Sequence, residues 1–271
     1  MGLTIGPKII TENLTLHFDS GNPLGWNNTT GEWHNFASNT VGGARNTPNI
    51  TYNTGEDALF FPNNTNSDCV TVNDINYVTG SSDQINNLTL EAWVKNSSTI
   101  TDHTSDERII LSFDRSAVFR FGIGIDALNG ISSSEGLICF SFTTGSGATA
   151  TTFDIQAPNC PNLRDDTWHQ IGVTYTTSEI NFFLDGEIIG TTTASYGSIG
   201  GQDTTETPRY GIIGNGSEST SPGAAIGPTN NFSGYIKSIK YYNGKTFTSD
   251  EIKNNYNAQK ARYGLWFINI Q

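Results

Sequence analysis

The chain has 271 residues, of which 15% are charged, 35% apolar and 29 are glycine. This length and composition fit one large β-domain of strands joined by polar turns and argue against a helical bundle. The net charge is −12 with the 14 Lys and Arg scattered, and no apolar run reaches membrane-spanning length, so neither nucleic acid nor a membrane is an expected partner.

Residues 1–12 read as an N-terminal arm of the kind that ties subunits together, because Gly6-Pro7 interrupts any strand before LTLHF begins at Leu14. The opening MGLTIGPKII lacks a cationic region and a long apolar region, so no secretory signal is expected, and Gly6 stands where a myristoylation motif wants Ser or Thr. From Asp19 to Pro48 the sequence is polar, with Leu24, Trp26, Trp33, Phe36 and Val41 as its large apolar residues. A long loop is expected there, either functional or pinned by its aromatics. Short strands follow: ITYN from Ile50, ALFF from Ala58, CVTV from Cys69 and LTLEAWV from Leu88. RIILSF from Arg108, VFRFGIGI from Val118, GLICFSF from Gly136 and TTFDI from Thr151 continue the series, each bounded by turn residues. Strands at this spacing without helical periodicity predict an antiparallel sandwich or jelly roll.

WHQIGVTYTTSEINFFLDGEIIGTT, Trp168 to Thr192, predicts three consecutive antiparallel strands. Asp185-Gly186 is the preferred pair for a two-residue type I′ turn, in which both central residues take positive φ. That turn sets Leu184 opposite Glu187, Phe183 opposite Ile188 and Phe182 opposite Ile189, and puts Ile180, Phe182, Leu184 and Ile189 on the core face. The opposite face, with Asn181, Phe183, Ile188 and Gly190, is too apolar for open water and predicts a cover. Phe183 and Ile188 are therefore candidate assembly contacts. Polar stretches from Ala194 to Pro208 and Asn215 to Asn231 flank the strand RYGIIG. In the last strand, FSGYIKSIKYY, alternation puts Tyr235 and Ile239 on one face with Lys237 between them, and Asn243-Gly244 turns the chain. A helix over about 249–263 is predicted from the capping box Thr248 to Glu251, Lys260 and Arg262 in the last turn, Gly264 at the end, and the apolar stripe Ile252, Tyr256, Tyr263. The final segment, residues 265–271, is apolar, and Leu265, Trp266, Phe267, Ile268 and Ile270 either complete a sheet or dock on a neighbouring subunit.

WHQIGVTY with INFFLDGEIIG, LTLEAWVK at Leu88 to Lys95, and FSGYIKSIKYYNGKTFTSDEIKNNYNAQKARYG together resemble the concanavalin A-like, laminin-G-type jelly-roll domain. LTLHFDSGNP at Leu14 to Pro23, followed by WHNFAS from Trp33, is similar to the opening of the form found in structural proteins of tailed bacteriophages. The resemblance spans nearly the whole chain. It implies a two-sheet sandwich closed by the helix, which packs beside the first and last strands, and a core role for Trp33. It also implies a setting on a virion assembled in the host cytoplasm, with other virion proteins as partners and several copies or a homo-oligomer on the particle.

Chemistry is sparse. Cys69, Cys139 and Cys160 lack zinc or disulfide spacing, and Cys139 in LICFSF reads as core. The Glu-x-Asp-x-x-Glu pattern of laminarinase-type relatives, which sets two carboxylates about 5 Å apart, is missing. Asp102, His103, Asp106 and Glu107 read as a solvated loop, and His169 near Asp165 and Asp166 is explained by strand alternation. No catalytic residue is expected. Trp26, with Asn27 and Asn28, either offers a stacking platform for a host glycan or tucks against the sandwich. Asp19, Asn22 and Asp57 carry oxygen ligands suited to Ca²⁺ without a diagnostic spacing, so no cofactor is expected. The sequence thus predicts an all-β antiparallel sandwich over 13–264 with one short C-terminal helix. Its expected role is a non-enzymatic decoration protein on the capsid exterior, the alternative being a carbohydrate-binding adhesin of collar, tail or fibre.

Overall fold

The computed structural model describes residues 7–62, 65, 67–78, 84–98, 108–114, 116–124, 136–145, 149–200, 208–216, 231–260 and 262–263. The strands are β1 Leu14–Asp19, β2 Trp26–Asn27, β3 Glu32–Asn35, β4 Thr40–Arg45, β5 Thr51–Asn53, β6 Ala58–Phe61, β7 Val70–Val78, β8 Asn87–Asn96 and β9 Arg108–Ser112. They continue with β10 Phe119–Ile123, β11 Ile138–Thr144, β12 Thr151–Gln156, β13 Trp168–Thr176, β14 Glu179–Leu184, β15 Glu187–Thr193, β16 Pro208–Ile213 and β17 Gly234–Asn243, and the helix α1 is Ser249–Lys260. Among the described residues they form two antiparallel sheets. The eight-stranded sheet runs β15-β14-β13-β8-β17-β6-β5 with β1 also on β17, and the nine-stranded sheet runs β12-β11-β10-β9-β16-β7-β4-β3-β2.

Alternation assigns the faces. In β8, Leu88, Leu90, Ala92 and Val94 point into the core, while Thr89, Glu91, Trp93 and Lys95 take the opposite parity. Ile171, Val173 and Tyr175 of β13 lie opposite Ala92, Leu90 and Leu88, extending the apolar layer across strands. Aromatics of the second sheet meet this layer, with Phe140 5.9 Å from Tyr175 and Phe119 5.6 Å from Tyr241 between ring centroids. Each such buried side chain contributes roughly 1.5–3 kcal/mol.

The hairpin turn is as expected: Asp185 and Gly186 both have positive φ, and Phe183 pairs with Ile188 and Leu184 with Glu187. A bulge then makes Phe182 face Gly190 rather than Ile189. Ile189 is the extra residue of that bulge and packs on the core beside Phe182. The polar stretch from Asp19 to Pro48 is not a loop. It forms β2, β3 and β4, which extend the second sheet from β7. Trp33 is fully buried against Phe18, and buried Asn35 ties β3 to β1 by accepting from the His17 amide at 2.8 Å. Too few apolar residues alternate there to reveal strands in sequence.

A second correction concerns β17. Its register on β8 skips Lys237, so Tyr235 pairs with Lys95 and Ile239 with Ala92, and the two fall on opposite faces. Ile239 is core and Tyr235 lies outside.

Helix α1 begins with the predicted capping box: the Thr248 amide donates to Glu251 at 2.9 Å and the Glu251 amide to the Thr248 hydroxyl at 3.3 Å. It lies on the outer face of the first sheet, where Tyr256 stacks on Trp93 at 5.5 Å. Beneath it is a buried polar network. Glu91 accepts from Gln170 (3.0 Å), Asn255 (2.7 Å) and Lys240 (3.4 Å), and Lys240 donates to Gln259 (2.5 Å). Phe183 is buried with Tyr242, Phe247 and Ile252, so the cover of that face is the chain's own helix, which removes Phe183 as an assembly contact. Ile188 remains 46% exposed. Residues 7–12 of the expected arm also fold back on the chain, the Ile10 amide donating to Asn255 (2.8 Å) and its carbonyl accepting from Tyr242 (3.0 Å). The segment 265–271, with Leu265, Trp266, Phe267, Ile268 and Ile270, lies outside the described residues.

Candidate ligand site on the outer face of the first sheet

Beyond the end of the helix, the outer face of the first sheet carries one row of large side chains. Trp168 of β13 pairs with Lys95 of β8, Lys95 with Tyr235 of β17, and Tyr235 with Phe60 of β6. Register partners share a face, so four strands place Trp, Lys, Tyr and Phe side by side. Tyr235 lies 5.0 Å from Phe60 and 6.4 Å from Trp168 between centroids. All four are half-buried.

Glu56, from the turn between β5 and β6, closes the row. Its two oxygens accept from Lys95 Nζ at 2.7 Å and Trp168 Nε1 at 2.8 Å. The Lys95 hydrogen bond, helped by that of Trp168, lowers the Glu56 pKa against a smaller effect of burial. On the other side Asp166 accepts from the Ser98 amide at 3.2 Å and from the Ser98 hydroxyl. Glu56, Phe60, Lys95, Ser97, Asp166, Gly234 and Tyr235 line a cavity of about 310 Å³. That is the small end of the range for ligand pockets, about 300–1,000 Å³. Flanking it, the bulge residue Lys237 sits 4.7 Å over the Trp168 ring and 4.9 Å over Tyr263, and burial lowers its pKa. Aromatic walls, oriented carboxylate acceptors and an ammonium donor set apolar ring faces beside hydrogen-bonding groups, the chemistry that suits a polyhydroxylated ring.

The residues singled out from sequence fall elsewhere. Trp26 is only 9% exposed and meets Trp33 edge-on at 6.2 Å, so its ring has no open face for a sugar and the platform reading is corrected to a packing role. Asn27 and Asn28 are exposed beside it, and Asn27 Oδ1 accepts from the Thr29 amide at 3.0 Å, closing a turn. Of the Ca²⁺ candidates, Asp19 and Asp57 do converge near Gly21. Asp19 there is held by Arg262 at 2.6 and 3.2 Å, Asp57 accepts from the Tyr52 hydroxyl, and Asn22 turns to the Leu24 amide at 3.1 Å. Among the described residues no three His, Cys, Asp or Glu side chains gather as a metal site. His169 is flanked by Asp185 (2.9 Å) and Asp165 (3.1 Å). Asp102, His103, Asp106 and Glu107 lie outside the described residues, as does most of the second polar stretch after RYGIIG.

Sequence reading missed the row. Each of its strands was legible, but nothing in one strand shows which residue of another lies beside it. The available signal was that the parity opposite the core in LTLEAWVK and WHQIGVTY carries Trp93, Lys95 and Trp168 instead of small polar residues.

The fold has known counterparts. The binding domain of Paraclostridial Mosquitocidal Protein 1 superposes with a TM-score of 0.59 at 10% identity, over 92% of this chain and 52% of that one. Domain 4 of AbnA, an extracellular arabinanase of Geobacillus stearothermophilus solved with arabinotriose, gives 0.53 at 13% identity, over 90% and 98%. The ligand-binding domain of botulinum neurotoxin serotype D, solved with N-acetylneuraminic acid, gives 0.54 at 13% identity, over 92% and 52%. The chain thus spans about half the length of the first of these. At such identities the likeness is one of fold. No curated protein matches the chain by sequence. The laminin-G-type model of the concanavalin A-like lectin/glucanases superfamily matches residues 64–253, which take in β7 to β17, the aromatic row apart from Glu56 and Phe60, and the start of the helix, and the chain belongs to that superfamily.

Proposed function

We propose that the chain is a non-catalytic, lectin-like module that seats a saccharide in the cavity between Glu56, Phe60, Asp166 and Tyr235. The observation that carries the reading is the register-built row of Trp168, Lys95, Tyr235 and Phe60 with Glu56 fixed across it. The glycan-bound neighbours of the same fold support it. In this reading the adhesin role moves from Trp26 to the outer face of the first sheet. Isothermal titration against an oligosaccharide panel tests it. Tyr235→Ala and Phe60→Ala are each expected to weaken binding about tenfold or more, as loss of a stacking ring does. Unchanged affinity in both removes the site.

The setting we propose is the exterior of a tailed-bacteriophage particle, as a head decoration or a collar or tail component in several copies beside other virion proteins. The order of motifs shared with phage structural proteins supports it. Immunogold labelling of purified particles tests it: label over the head favours decoration, label at collar or tail favours host attachment, and no label removes the virion setting. Deleting Leu265 to Gln271 is expected to abolish incorporation while leaving the sandwich folded, and normal incorporation counts against that segment as an anchor.

A further inference from the structure

The charge around the cavity bears on which saccharide it takes. Lys95 is committed to Glu56 at 2.7 Å. Lys237 is buried over the Trp168 and Tyr263 rings and feels the charge of Asp57, Glu56 and Asp19, and Arg262 is paired with Asp19 at 2.6 Å. Asp166, which lines the cavity, accepts from Ser98, a neutral partner. Among these described residues, four carboxylates, Asp19, Glu56, Asp57 and Asp166, stand against the three cations Lys95, Lys237 and Arg262, and Asp166, the carboxylate without a cationic partner, is on the lining. Every oxygen of Glu56 and Asp166 already accepts from a protein donor. The protein thus fixes these oxygens in place, and one lone-pair direction on each is left for an incoming O–H or N–H. A ligand carboxylate or sulfate brings only acceptors to these acceptors, the lining ammonium of Lys95 is already paired with Glu56, and like charges repel, more strongly at the half-buried Glu56 than at the exposed Asp166. The chain's net charge of −12 adds a long-range repulsion of the same sign.

Building on the saccharide-binding reading above, we propose that this site selects neutral and amino sugars and rejects uronic and sialic acids. The ligand's hydroxyl or ammonium groups donate to Glu56 and Asp166, and the face of its ring lies on Tyr235 and Phe60.

A printed array of matched neutral, amino and acidic oligosaccharides, followed by titration with the pairs α-1,4-galactotriose and trigalacturonate, and cellotriose and the chitosan trimer, tests it on the full chain. The amino sugar is expected to bind at least as tightly as its neutral counterpart, and the acid at least about tenfold more weakly. Raising the salt from about 0.05 to about 0.5 M should narrow that gap, by screening. Glu56→Gln and Asp166→Asn should shrink the neutral-to-acid ratio, and the salt series on the unaltered protein carries the test should either variant fail to fold. Acidic sugars that bind as tightly as neutral ones overturn the selectivity and leave saccharide binding standing. Binding of no saccharide on the array overturns the reading beneath it.

Discussion

His169 shows how single side chains set the pH response of this protein. Burial favours the neutral imidazole, but hydrogen bonds and charge from Asp185 and Asp165 outweigh it and hold the pKa above its ordinary 6.5. A group whose pKa is raised on folding stabilises the protein fully below its unfolded value and loses that contribution as pH rises through the folded one. His17 has the opposite sign. Burial, reinforced by Lys240 and Arg262, pushes it from 6.5 down to about 3, so its contribution is present above 6.5 and is lost as pH falls. Stability is therefore expected to fall on both sides of about pH 6.5, by these two residues acting in turn. Urea midpoints between about pH 5 and about pH 9 check this. His169→Asn should flatten the alkaline limb and leave the acid limb in place, and an unchanged alkaline slope would show that the Asp-His-Asp contact contributes nothing. Neither role was legible in the sequence, because Asp185 and Asp165 reach His169 only after the turn and the preceding loop have folded back on β13.

Helix α1 is the element most completely written in local sequence, since its cap and first-turn acids act within one turn of chain. Thr248→Ala is expected to lower global stability by about 1 kcal/mol, the usual worth of an N-cap hydroxyl, measured by denaturant melts. What the helix covers is a different matter. Glu91 and Lys240 are register partners on the sheet, both buried under the helix, which is held to them by Asn255 and Gln259, bonded to Glu91 and Lys240 respectively. Lys240→Met should cost about 3–5 kcal/mol by leaving a buried carboxylate without its cation, and a loss near zero would show that Gln170 and Asn255 suffice for Glu91. Strand β17 makes the complementary point. Its alternation was plain, but the bulge at Lys237 reverses the phase halfway along, and that reversal delivers Tyr235 to the ligand face while keeping Ile239 in the core. A bulge arises from how two strands fit together, and a single strand's pattern does not encode it.

At the scale of the whole molecule, the main apolar cluster among the described residues runs from β1 through both sheets to β17 and includes Trp26 and Trp33 of the strands β2 and β3. Because no seam divides it, near- and far-ultraviolet circular dichroism are expected to report one coincident thermal transition. Two separated transitions would mean that the sheets unfold independently. The added strands β2, β3 and β4 belong to this unit, so Trp33→Ala should lower the single transition by several degrees, corresponding to about 3–5 kcal/mol for loss of a buried aromatic.

Sequence alone determined the class of this protein, because period-two alternation, Asp-Gly and Asn-Gly turns and a capped terminal helix are all local signals within a few residues of chain. It placed most of the strands, the type I′ turn and the helix. Tertiary structure alone decided the cover over Phe183, the inward burial of Trp26, and the cavity between Glu56 and Tyr235. Each of these depends on register between strands far apart in the chain, and register is fixed by the packing of the whole sandwich rather than by any single strand.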